Sequence, residues 1–160
     1  MDDFIVRKAE RKDVPVLHIL IDGLALHEKR PQDVTGTDEE MVYWLFERNI
    51  ATALIAELGE EAVGYAIFYP VYGSYAARGK IHLEDIFIKS ECRGKGYGKR
   101  LLAAISRMIT AEGFTGLEWN ALDYNDSAIG WYRSLGAEKE EGRSYFSFGE
   151  EALRRLSAKV

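Results

Sequence analysis

Between Glu91 and Arg100 three glycines, Gly94, Gly96 and Gly98, alternate with other residues. The run follows the apolar stretch Ile81–Ile88 and leads at once into an amphipathic segment, so it reads as a turn from strand to helix. A turn stripped of side chains lets successive backbone N–H groups converge on an anion at a helix N-terminus. Two familiar phosphate-binding spacings fail here. A triphosphate-binding P-loop closes on Gly-Lys-Ser/Thr, but Gly98-Lys99 is followed by Arg100. A dinucleotide fingerprint needs a third glycine where Lys99 stands. Taken alone, the loop fits an anion cradle or a solvated glycine-rich turn.

Other residues carry chemistry with a structural alternative beside it. Glu84 and Asp85 are the polar exceptions in an apolar strand, where a carboxylate needs a partner or a purpose. Strand alternation sends them to opposite faces unless a bulge intervenes. Tyr132 shares a helical face with Ile129 and Leu135, so its phenol is either a proton donor or a core aromatic. His27 and Glu28 end the first helical segment, as solvated surface or as a cation anchor. Glu118, Trp119 and Asn120 line a later strand, with Trp119 in the core or at a site. Cys92 beside Arg93 is the one candidate nucleophile, but no histidine lies near it in sequence. Three scattered histidines, His18, His27 and His82, form no readable metal constellation, and His82 reads as a packed imidazole.

The elements that must position these residues follow from periodicity. Phe4–Arg7 is a short strand, and Asp13 with Pro15 opens a helix bearing Leu17, Leu20, Ile21 and Leu24. A loop around Pro31 leads to a second helix starting at Thr37 or Asp38. Strands Ala51–Glu57, Ala62–Tyr72 and Lys80–Lys89 form an antiparallel meander. The helix after the glycine loop carries Leu101, Leu102, Ile105, Met108 and Ile109 and stops at Gly113. Thr115–Ala121 is a strand, and a short helix capped by Asn125 or Asp126 stops at Gly136. Glu138–Glu141 and Ser144–Phe148 read as a closing hairpin, and Glu150–Leu156 as a last helical turn or two. The order β-α-α-β-β-β-α-β-α-β-β predicts an α/β (α+β) fold: one mixed central sheet with helices on both faces.

A chain of 160 residues reads as a single domain, 1–160. The net charge of -5 argues against a nucleic-acid partner. A lone cysteine excludes an internal disulfide and suggests a reducing compartment. The start of the chain lacks an apolar signal core, and Ala62–Gly73 is too short to span a bilayer. The expectation is a cytoplasmic protein without membrane association.

The pattern Arg93-x-x-Gly96-x-Gly98 between strand and helix resembles the pyrophosphate loop of the GNAT N-acetyltransferase superfamily. Asn125-Asp126-x-Ala128-x-x-Trp131-Tyr132-x-x-x-Gly136-Ala137 resembles the family's fourth-helix signature. Leu83–Ile88 with the loop, and Leu24–Thr37, are similar to the spermidine/spermine and thialysine acetyltransferase group. His27 and Tyr124 depart from that group's Tyr and Trp, and no Trp stands near Arg143. The resemblance implies a GNAT-like fold and acetyl-CoA as cofactor. It implies cofactor contacts at Ile86, Phe87, Ile88, Arg93, Gly94, Lys95, Gly96, Tyr97, Gly98, Lys99, Asn125, Ser127 and Tyr132. It further makes Tyr132 the acid and Glu84 the base. Substrate contacts would come from His27, Glu28, Glu84, Asp85, Trp119 and Asn120. The implied acceptor is a small polyamine, diamine or lysine-like amine, and the implied assembly a homodimer using the aromatic run Tyr65–Tyr75. Acetylation of an amino acid, aminoglycoside or protein N-terminus, and a non-catalytic CoA-binding module, are the rival readings.

Overall fold

The computed structural model describes residues 2–158. The chain forms two compact units, Met1–Leu122 and Asp123–Val160. In the first, five strands run β1 (Phe4–Lys8), β2 (Thr52–Leu58), β3 (Glu61–Gly73), β4 (Arg78–Ile88) and β5 (Leu117–Trp119). They lie side by side in sequence order, antiparallel except for the parallel pair β4–β5. Helices α1 (Val14–His27) and α2 (Asp38–Val42) precede β2, and α3 (Tyr97–Ala111) joins β4 to β5. The expected mixed sheet is therefore present, with β5 shorter than its apolar run suggested.

Strand β2 shows why helices occupy both faces. Its run Ala53-Leu54-Ile55-Ala56 is buried throughout, and alternation divides it. Leu54 and Ala56 pack with Leu101, Ile105 and Ile109 of α3, while Ala53 and Ile55 pack with Leu17 and Leu20 of α1. Met41 and Leu45 extend that second layer.

The ends of α1 and α2 differ from each other. Thr37 caps α2 in a capping box, accepting from Glu40 N–H at 3.2 Å while Glu40 accepts from Thr37 N–H at 2.9 Å. The helix then widens into a π-helical turn, Tyr43–Glu47. Asp13 stands at the N-cap of α1, but its carboxylate does not cap that helix. It accepts from Glu10 N–H at 2.7 Å and holds Arg7 through two bonds of 2.7 and 2.9 Å. This grip keeps Asp13 below the usual carboxylate range.

The second unit carries α4 (Asp126–Ser134) and α5 (Glu150–Ser157). The closing hairpin expected at Glu138–Glu141 and Ser144–Phe148 is absent, since residues 138–148 carry no strand. Glu138-Lys139-Glu140-Glu141 offers no apolar face, and a two-stranded hairpin without one is marginal in water. Among the described residues no helix is long and apolar enough to cross a membrane.

Candidate active site

In β4 the register with β3 slips by one residue. Ile67 faces Asp85 and Phe68 faces Leu83, which leaves Glu84 as the extra residue of a β-bulge. The slip changes which side each neighbour takes. Ile81 and Leu83 pack on the α3 face, and so do Ile86 and Ile88 beyond the bulge. Asp85 and Phe87 turn to the α1 face, and Glu84 turns there too. Two adjacent carboxylates thus enter one cavity.

That cavity, of about 620 Å³, lies between α1, α2, the loop joining them and the sheet. Its walls hold five carboxylates, from Glu28, Asp33, Glu40, Glu84 and Asp85. Arg30 is the cationic side chain there, its Nε donating to Asp33 at 2.5 Å, and His18 Nδ1 lies 2.5 Å from Asp38. Leu24, Met41 and Trp44 supply apolar wall. Such a lining has the chemistry to accept a cation with an aliphatic or aromatic body.

The two carboxylates differ in setting. Asp85 accepts from the hydroxyl of fully buried Tyr65 at 3.1 Å. Burial pushes Asp85 up to about 6, against the opposing pull of that hydrogen bond. Tyr65 is pushed up as well, by burial and by the facing carboxylate. Glu84 is more open and accepts from the Tyr69 hydroxyl at 3.0 Å.

The glycine loop has the backbone that an anion cradle needs. Gly94 and Gly96 have φ of 77° and 84°, which side chains disfavour, and a Cβ at either would meet nothing within 4 Å. Gly96 is the N-cap of α3, so the first N–H groups of that helix lack intrahelical partners. Lys95 and Lys99 are exposed beside it. The Arg93 side chain turns away from the loop: Nε donates to Ile88 O at 2.8 Å, the guanidinium lies 5.4 Å from the Phe87 ring, and Nη1 is 3.3 Å from His27. Tyr97 stacks on Phe4 in the core, leaving only its backbone to the loop. Cys92 is buried in the same apolar layer, a setting that leaves a thiol inert.

Of the acceptor residues anticipated from sequence, Glu28, Glu84 and Asp85 meet in the cavity. His27 is exposed on Arg93 instead, and desolvation together with the Arg93 charge lowers its pKa. Trp119 packs with the α3-side layer, and neither it nor exposed Asn120 lines the cavity. Beyond the pair Leu83–Trp119, the β5-side edge of β4 has no partner strand among the described residues, so Ile86–Ile88 present an open backbone edge. Tyr65 and Tyr69 went unsuspected as site residues, hidden in the aromatic run of β3; only the β3–β4 register reveals them.

In the second unit, Asn125 caps α4 by accepting from Ala128 N–H at 3.2 Å. Ser127 is exposed in its first turn. Tyr132 is half-buried, its ring 5.2 Å from that of Trp131. Gly136, with φ of 89°, ends the helical stretch.

The model of the acetyltransferase (GNAT) family matches residues 21–137. The thialysine N-epsilon-acetyltransferase of Bos taurus is 32% identical over 167 residues, 97% of this chain and 98% of that one. The spermidine/spermine N(1)-acetyltransferase-like protein 1 of Homo sapiens is 29% identical over 164 residues, 96% of this chain and 24% of its own length. Among solved structures, an aminoglycoside acetyltransferase from an uncultured soil metagenomic sample, in complex with sisomicin, superposes with a TM-score of 0.77. It is 20% identical and the match covers 91% of this chain and 97% of that one, a likeness of fold.

Proposed function

The chain belongs to the acetyltransferase (GNAT) family, and from that premise we propose that it transfers acetyl from acetyl-CoA directly to a primary amine of a small diamine, polyamine or lysine-like substrate. The observation that carries this reading is the bulge at Glu84, which turns two adjacent carboxylates into one acidic cavity. The thialysine and spermidine/spermine names of the relatives support the same class of acceptor. The family match spans both units, and we read residues 1–160 as one catalytic domain.

Acetyl-CoA supplies the activated thioester when bound. The amides around Gly94, Gly96 and the start of α3 suit its diphosphate, and the open edge at Ile86–Ile88 suits strand-like pairing with its pantetheine amides. The amine must first lose a proton. With a pKa near 10.4 it is neutral about once in 2,500 at pH 7, a cost of about 4.6 kcal/mol. Glu84 takes that proton, directly or through water, and local desolvation offsets part of the cost. Asp85, steadied by Tyr65 and ionised above about pH 6, holds the ammonium beside it. Glu28, Asp33 and Glu40 offer carboxylates to a second ammonium. Tyr132 keeps the role its resemblance implies, that of the acid donating to the departing thiolate.

A panel assay tests the reading. The protein is incubated with acetyl-CoA and a diamine, spermidine, a lysine-like amino acid, a simple monoamine or an aminoglycoside, and free thiol is followed. Turnover is expected with the first three and weakly with the monoamine. Thiol release with the aminoglycoside alone, or with no amine despite CoA binding, overturns it.

A further inference from the structure

Of the three histidines, His18 alone lines the acidic cavity. It shares one stripe of α1 with Ile21, Ala25 and Glu28, all of which line the same space. His18 and Glu28 stand ten residues apart, about 15 Å along a helix axis. Between them Gly23 lets α1 touch the sheet, since a Cβ there would come within 3.1 Å of the Phe87 ring. The helix thus crosses β4 between Glu28 at one end of the cavity and His18 at the other. Nδ1 of His18 is 2.5 Å from Asp38 Oδ1. Asp38 is the first residue of α2, and the capping box at Thr37 fixes that turn. A carboxylate only accepts, so Nδ1 carries the hydrogen, and Nε2 of the neutral ring keeps its lone pair. Nε2 has no hydrogen-bond partner among the described residues. No buried side-chain nitrogen or oxygen among them lacks one, so Nε2 is open to solvent. The dyad is therefore held yet reachable, with the His18 side chain 24% exposed and that of Asp38 45%.

We propose that Nε2 of His18, backed by Asp38, is a subsite for a third nitrogen of the acceptor, and that it sets a preference for linear triamines over diamines; this rests on the acetyltransferase reading above. Asp38 orients the imidazole and puts a negative charge behind it, so Nε2 accepts well from an ammonium N–H. Unlike a carboxylate, it accepts one bond in one direction, which discriminates by where along the chain a nitrogen falls. The second ammonium already has Glu28, Asp33 and Glu40 to choose from. A cavity of about 620 Å³ also lies in the range of drug-sized ligands, more than a short diamine fills. An amino-acid acceptor gains nothing at this end. Its carboxylate needs a donor, and here it would meet the lone pair of Nε2 and the charge of Asp38.

The test is calorimetric titration of amines into the full chain saturated with CoA at about pH 8, which reads binding without turnover. Spermidine should bind His18→Phe about tenfold more weakly than wild type, as for one lost charge-assisted hydrogen bond, while putrescine stays within twofold. His18→Gln should recover most of the loss, because its amide nitrogen donates to Asp38 and its oxygen accepts from the ligand. In ¹⁵N-histidine NMR of the wild type at that pH, Nε2 of His18 should read as an unprotonated nitrogen and shift as spermidine is added. Spermidine affinity within twofold of wild type in His18→Phe, an equal loss for both amines, a loss confined to a lysine-like amino acid, or no recovery in His18→Gln overturns the subsite. So does an Nε2 that carries a proton at that pH, or one that saturating spermidine leaves unmoved, and neither result depends on a variant folding. If the binding results hold while acetyl-CoA releases no thiol with any amine, the subsite stands and the acetyltransferase reading fails.

Discussion

The two faces of the sheet are built from the same strands and end differently. Toward α3 the layer closes: Leu54, Leu83, Leu101 and Ile105 are fully buried in one apolar cluster. Toward α1 and α2 the layer holds Leu17, Leu20, Ile55 and Phe87, then opens into the acidic cavity. The difference is made within β4. One extra residue lets the strand give Ile81, Leu83, Ile86 and Ile88 to the closed face and Glu84, Asp85 and Phe87 to the open one. One face supplies stability, and the other exchanges some of it for charge that a substrate can use.

Substitutions on the two faces should therefore separate activity from stability. The largest effect is expected at Glu84. Glu84→Gln should lower kcat about 10²- to 10⁴-fold, the span of a lost general base, with an unchanged melting temperature. Steady-state kinetics and a thermal melt check both halves, and an undiminished kcat would remove Glu84 as the base. Next is the closed face. Leu101→Ala should cost about 2–5 kcal/mol of stability by urea titration, while kcat measured well below the melting point stays near wild type. A selective loss of kcat there would erase the contrast between the faces.

Asp85→Asn should be the smallest and of opposite sign. Its folded pKa, about 6, lies above the unfolded value near 3.8. Between those values the unfolded chain binds fewer protons, so stability falls as pH rises through the window. Asn keeps an acceptor for Tyr65 and removes the charge. The variant should gain up to roughly 3 kcal/mol above pH 7 and nothing near pH 4, read from urea titrations at both. A gain that does not depend on pH would mean that Asp85 is not a strained carboxylate.

Much of the frame was legible in the sequence because it rests on local rules. Apolar period marked α1 and α3, and the alternating glycines marked the turn whose positive φ values the structure bears out. The bulge was not legible. Glu84 and Asp85 stood out as polar, but whether they share a face depends on the register with β3, a long-range pairing. Tyr65 read only as part of an aromatic run at a dimer interface for the same reason, since its hydroxyl matters only through Asp85 across the ladder. His27 and Glu28 looked equivalent at the end of α1, yet adjacent helical positions point apart, one to Arg93 and one into the cavity. Residues 138–148 misled because two short runs say nothing about whether a partner strand is available.

The central claim is that the amine binds on the α1–α2 face, beside the bulge. Titrating a diamine into ¹⁵N-labelled protein saturated with CoA, where no acetyl can move, tests it most directly. Amide shifts should gather at Glu28, Thr37, Glu40, Trp44, Tyr65 and Asp85 and leave Leu101, Ile105 and Ile109 still. Shifts centred on the α3 face, or none at saturating diamine, would contradict it.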